Sequence, residues 1–152
     1  MKKTFSIMFV CLFIDQLIKN ILINIMDIGS SYTIIKNFFN ITLVMNTGAA
    51  FSILSSNTLL LILISILVLI FIFFYLSKGN VSEKDYIIYG FLTGGVCGNL
   101  LDRIIHNAVI DYLDFNIFGY SFPVFNFADM LIVISMFLII LSLKDDKDEI
   151  HS

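Results

Sequence analysis

Four long apolar runs set the pattern of the chain. Phe5–Ile25 is broken only by polar residues that include Asp15 and Lys19, and Thr58–Leu76 carries no charge. Tyr86–Ile105 is apolar until Asp102 and Arg103, and Phe125–Leu143 carries Asp129 near its start. A bilayer core takes about 20 residues of helix. A helix is also the one segment that satisfies its own backbone in lipid. The pattern therefore predicts an all-α membrane protein in a single domain, 1–152, with four transmembrane helices spanning about 5–25, 58–76, 86–105 and 125–143. The connections after the first and third runs read differently. Tyr32–Ile35 and Asn40–Met45 are β-branched and partly alternating, and His106–Val124 mixes Val109, Ile110 and Tyr112 with Asp111 and Asp114. Such runs predict short strands, hence a small extracytoplasmic β-element beside the helices. The connection Ser77–Asp85 is short and polar, and the tail Lys144–Ser152 reads as a solvated end with no assigned function.

Composition narrows the class. Of the 152 residues 59% are hydrophobic and 14% charged, with 16 Phe, one Pro and no Trp, and the mean hydropathy is +0.96. A soluble fold of this size could not bury that much apolar surface, and disorder requires the opposite composition. The net charge of −3 and scattered lysines give no basic stripe, which argues against a nucleic-acid partner. Cys11 and Cys97 lie inside apolar runs without CxxC spacing and read as small core residues. Lys2 and Lys3 before an apolar run resemble a signal peptide. No small-residue cleavage site follows, and Asp15 and Lys19 interrupt the run, so a retained first span is expected. With the N-terminus inside, the inner segments hold Lys2, Lys3, Lys78, Lys84, Lys144 and Lys147, and the outer segments hold only Lys36. This six-to-one asymmetry predicts that both termini are cytoplasmic.

Ionisable residues within spans cost about 2.5–3.5 kcal/mol each on insertion scales and need a reason. Asp15 and Lys19 at i,i+4 share a helix face, either as a neutralised pair or as part of a site. Asn99, Asp102 and Arg103 form one stripe, a turn beyond Gly94 and Gly98, whose spacing lets another helix approach closely. Asn126 and Asp129 repeat an i,i+3 pair at the start of the fourth span. Because the third span runs outward and the fourth inward, Asp102, Asp111 and Asp129 fall near one depth, with Arg103 and Lys19 as counter-charges. Two neighbouring carboxylates share a proton, one acting as base and the other as acid. Such a pair can turn water against an amide. Nucleophilic serine and zinc motifs are missing from the sequence. Acids in spans also serve proton-coupled carriers, and composition leaves peptidase and carrier level. A non-enzymatic assembly factor would not need the paired stripes.

The blocks Asp15-Gln-Leu-Ile-Lys19, Asn46-Thr-Gly48-Ala-Ala-Phe, Gly94-Gly-x-x-Gly98-Asn99-x-x-Asp102-Arg103, Val109-Ile-Asp111-Tyr112 and Phe125-Asn126-x-Ala128-Asp129 occur in that order over nearly the whole chain. Together they resemble bacterial lipoprotein signal peptidases (signal peptidase II), a family of intramembrane aspartyl peptidases. The resemblance implies removal of signal peptides from diacylglyceryl-modified prolipoproteins, by cleavage before the lipidated cysteine. It implies Asp111 and Asp129 as the catalytic pair, a choice between Asp111 and Asp102 that the residues alone leave open. Asp15, Lys19, Asn46, Gly48, Asn99, Asp102, Arg103 and Asn126 are then substrate-binding or supporting residues. No metal or organic cofactor is required. The expected partners are prolipoprotein substrates and membrane lipids. The expected setting is a multi-pass monomer in the bacterial cytoplasmic (inner) membrane, its site on the extracytoplasmic side. Tyr112, where Phe is common, and Val96-Cys97 between the glycines, where smaller residues are usual, depart from the family pattern.

Overall fold

The computed structural model describes residues 1–48, 57–79 and 81–151, and side chains up to residue 142. Among the described residues, four helices and four strands follow one another: α1 (Lys2–Ile25), β1 (Ser31–Ile35), β2 (Phe39–Asn46), α2 (Thr58–Ser77), α3 (Glu83–His106), β3 (Val109–Ile117), β4 (Tyr120–Ser121) and α4 (Phe127–His151). Helices α1, α2 and α3 sit within a few residues of the expected spans; α4 continues past the expected end at 143 to His151, through the stretch read as a tail. By length and apolar composition, α1 and α2 are each sufficient to cross a membrane, and α4 carries the shorter apolar stretch Phe127–Ser142. The helix α3 falls short because it holds both the polar stripe and the charged start Glu83-Lys84-Asp85. Large apolar side chains face outward on all four helices, among them Phe13, Leu59, Phe71, Ile104 and Phe137.

Helix α3 is the spine, packed against each of the other three helices. Glycines make this possible on two of its faces. A Cβ at Gly94 would lie 2.6 Å from Cys11 Cβ on α1, and one at Gly95 would lie 2.5 Å from the Ala128 carbonyl oxygen on α4. The expected close approach at Gly94 is thus made to α1. Its start is fixed by a reciprocal cap: Ser82 Oγ accepts from Asp85 N, and the Asp85 carboxylate accepts from Ser82 N. Its end is fixed by Asn107, which takes the left-handed conformation (φ 57°), one that Asn tolerates better than most residues. The chain can then reverse directly into β3.

The strands pair antiparallel in the order β1-β2-β3-β4. Both connections that supply them leave the same end of the helices, as the alternating patterns predict. Between Ile41 and Val44 the register of β2 against β3 shifts, so that Ile41 faces Leu113 and Val44 faces Asp111. The extra residue is a bulge, and beyond it Val44, Asn46, Val109 and Asp111 share one face. Leu43 and Ile110 pack with Met26 in a small core. Leu113 also bridges Phe125, which ties the sheet to the start of α4.

Candidate active site

Asp111 comes from β3, and Asp129 from the first turn of α4. Both line a cavity of about 920 Å³, with Asn46, Gly48, Asn99 and Arg103 beside them. That volume is in the range of small-ligand sites. Its other walls are apolar: Phe122 and Phe125 before α4, and Ile132, Val133 and Ile134 within it.

Asn126 joins the two acids. Its Nδ2 donates to Asp111 Oδ1 (2.7 Å) and Asn99 Oδ1 (3.1 Å), and its Oδ1 accepts from Asp129 N (2.9 Å). Asp129 Oδ2 in turn accepts from Asn126 N (3.3 Å). The Asn126/Asp129 spacing is therefore a reciprocal helix cap, which seats Asp129 at the N-terminus of α4. Asp129 Oδ1 also accepts from Asn99 Nδ2 (2.7 Å). Asn46 donates to Asp111 Oδ2 (2.9 Å) and accepts from Gly48 N (2.9 Å). Arg103 donates to the carbonyls of Gly48 (3.2 Å) and Asn99 (3.3 Å). Burial, and after it the charge of Asp129, push the Asp111 carboxyl up to about 7, against the pull of the Asn46 and Asn126 hydrogen bonds. A carboxyl so placed can hold a proton near neutral pH.

The remaining site candidates lie apart from the cavity. Lys19 Nζ is 2.8 Å from Asp15 Oδ2 and 2.7 Å from Asp102 Oδ2, and none of the three is exposed. Lys19 is thus bound to Asp15 and Asp102, and of the cavity's own groups it touches Asn99 Oδ1 (3.2 Å). Asn126 is fully buried behind the acids. Two contributors were given no role from sequence. Gln16 donates to Asp102 Oδ1 (2.8 Å) and Asp15 Oδ2 (3.2 Å). The Tyr112 hydroxyl accepts from Phe127 N (3.2 Å). The signal for Gln16 was its position between Asp15 and Lys19, and for Tyr112 its place beside Asp111.

Residues 7–144 match the family described as Signal peptidase (SPase) II. The chain belongs to this family. It is 43% identical over 139 residues to the lipoprotein signal peptidase of Staphylococcus epidermidis, covering 91% of this chain and 86% of that one. It is 39% identical over 138 residues to that of Staphylococcus haemolyticus, covering 90% and 87%. A bacterial membrane enzyme solved in meso at 2.3 Å resolution superposes with a TM-score of 0.89 at 35% identity, over 98% of this chain and 92% of that one. A second, solved in meso at 1.9 Å, gives 0.83 at 35% identity, over 94% and 93%. The choice left open by composition is thereby decided: this member of the family is a membrane peptidase of the aspartic class that acts on prolipoproteins.

Proposed function

We propose that Asp111 and Asp129 are the catalytic pair, and that they hydrolyse the peptide bond before the diacylglyceryl-modified cysteine of a prolipoprotein. The observation that carries this reading is the pairing itself. Two acids from different elements face one cavity, linked through Asn126. Asp129 takes a proton from water, whose oxygen adds to the scissile carbonyl carbon. Asp111 gives its proton to the carbonyl oxygen. Collapse of the tetrahedral adduct breaks the C–N bond, and a proton passes to the leaving nitrogen. The products are a signal peptide with a free carboxylate and a lipid-cysteine with a free amine. Asn46, Asn99 and Arg103 line the cavity as groups able to orient substrate carbonyls. The apolar wall of Ile132, Val133 and Ile134 suits a substrate that arrives within the bilayer. Each buried methylene of its lipid contributes about 0.8 kcal/mol, which fixes the depth of the scissile bond.

The setting completes the proposal. Residues 1–152 form one domain with four spans and both termini cytoplasmic, a monomer among the lipids of the bacterial cytoplasmic membrane, with the sheet and the site on the extracytoplasmic side. Support comes from the lysine asymmetry and from the outward apolar side chains on all four helices. The test is cleavage by purified protein in detergent of matched prolipoproteins with and without diacylglyceryl. Cleavage of the modified form alone is expected, and its loss in Asp111→Asn and in Asp129→Asn. Normal turnover by either variant overturns the pair; equal cleavage of both substrates overturns the requirement for lipid.

A further inference from the structure

Beneath the cavity lies a buried charged cluster that the reaction itself does not use. Lys19 sits between Asp15 (2.8 Å) and Asp102 (2.7 Å), all three with no exposed side-chain surface. A buried cluster of this kind is weak evidence for stability as such, because desolvation opposes the attraction. What distinguishes it is what else its two carboxylates bind. Asp15 Oδ1 accepts from Ala128 N (3.2 Å), the residue immediately before Asp129. Asp102 Oδ2 accepts from Ile110 N (3.2 Å), the residue immediately before Asp111. Lys19 also donates to Asn99 Oδ1 (3.2 Å), and Asn99 donates to Asp129 Oδ1 (2.7 Å). One ammonium on α1 therefore reaches both proposed catalytic acids, at one remove, by three routes.

The Ala128 contact has a second meaning. The first N–H groups of a helix have no partner within it. In α4 they are taken by side chains: Phe127 N by Tyr112, Asp129 N by Asn126, and Ala128 N by a carboxylate from another helix. Gly98 leaves the space this carboxylate occupies, since a Cβ there would collide with Asp15 Oδ2.

We propose that Lys19 is a positioning residue for the reaction: by tying Asp15 to Asp102 it fixes the backbone at Ala128 and Ile110, and so sets the separation of Asp129 and Asp111. The inference rests on the catalytic pair proposed above. Lys19 does not line the cavity, so its loss should fall on kcat and leave KM nearly unchanged. Displacement on the order of 1 Å can cost about 10²-fold in rate. The charges acting on Asp111 are Asp129 on α4, Lys19 on α1 and Arg103 on α3. A changed separation of the two acids therefore also moves the limbs of the pH–kcat profile. Loss of folded protein alone would scale that profile without moving it.

The experiment compares kcat, KM and the pH profile of purified Lys19→Met, the charge-matched Lys19→Met/Asp102→Asn, Asp111→Asn and Asp129→Asn, with a diacylglyceryl-modified prolipoprotein. Asn at 102 keeps an acceptor for Ile110 N while the tie to Lys19 is gone. The expected result is a loss of kcat of at least about tenfold in both Lys19 variants, with a displaced pH profile and KM within about twofold. Wild-type kcat and profile in the Lys19 variants, with both aspartate variants inactive, overturn the positioning role alone. Turnover by an aspartate variant overturns the pair beneath it. If Lys19→Met does not fold, the charge-matched variant decides. Its failure to fold as well makes Lys19 a determinant of folding and overturns the proposal.

Discussion

Gly95→Ala probes the contact between the spine helix and the element that carries Asp129. The added Cβ would stand 2.5 Å from the Ala128 carbonyl oxygen and 2.9 Å from Ile132 Cγ1. Such contacts become ordinary at 3.4 Å, so α3 and α4 must part by about 0.9 Å. The carbonyl belongs to the first turn of α4 and cannot swing aside without losing that turn. Overpacking of this kind costs about 1–3 kcal/mol. Here the displacement lands one residue before Asp129, where about 1 Å is worth as much as 10²-fold in rate. Gly90→Ala is the control. Its Cβ would meet Ile7 Cβ at 2.8 Å, a comparable overlap against α1, well away from both acids. Thermal unfolding in detergent should show both variants destabilised. Cleavage per folded molecule should fall steeply in Gly95→Ala and little in Gly90→Ala. Wild-type turnover by Gly95→Ala, or equal losses in the two, would refute the reasoning.

Three further outcomes are expected. The folded Asp111 carboxyl, raised from 3.8 to about 7, holds a proton that the unfolded chain gives up between those values. Stability should therefore fall as pH rises across that window, turnover should fall as pH rises past about 7, and Asp111→Asn should remove this share of the stability slope in melts from pH 4 to 8. Tyr112→Phe takes the acceptor from Phe127 N; a loss of about 1 kcal/mol with turnover largely kept is expected from melting and cleavage run together. In a Cys11→Ala/Cys97→Ala background, an impermeant thiol reagent outside the cell should label Lys36→Cys and spare Lys78→Cys, and the reverse pattern would invert the topology.

The helices and the first two strands were legible because their periods are plain: Thr58–Leu76 is unbroken, and Tyr32–Ile35 and Asn40–Met45 alternate. The sheet's register was not, because the bulge between Ile41 and Val44 depends on what β3 offers across the pair. The polar stripe on α3 was visible but could not be divided. Asn99 and Arg103 line the cavity, whereas Asp102, between them in sequence, faces Lys19 and Gln16 on α1. A helical face is about 100° wide, and only neighbouring helices decide which part of it looks where. The glycines announced close packing without naming the partner, and the neutral Gln16 was marked only by its place between Asp15 and Lys19.

The carboxylate that α1 lends to the first turn of α4 also bears on the order in which the protein is made. Ribosomes complete α1 first and α4 last, and Asp15 must wait for Ala128 before that bond can close. Asp111 likewise meets Asn126 only when the final helix arrives. A nascent chain interrupted before α4 carries Asp111 but neither Asn126 nor Asp129. With Asp111 and Asp129 as the proposed pair, a chain that lacks α4 is expected to be inactive.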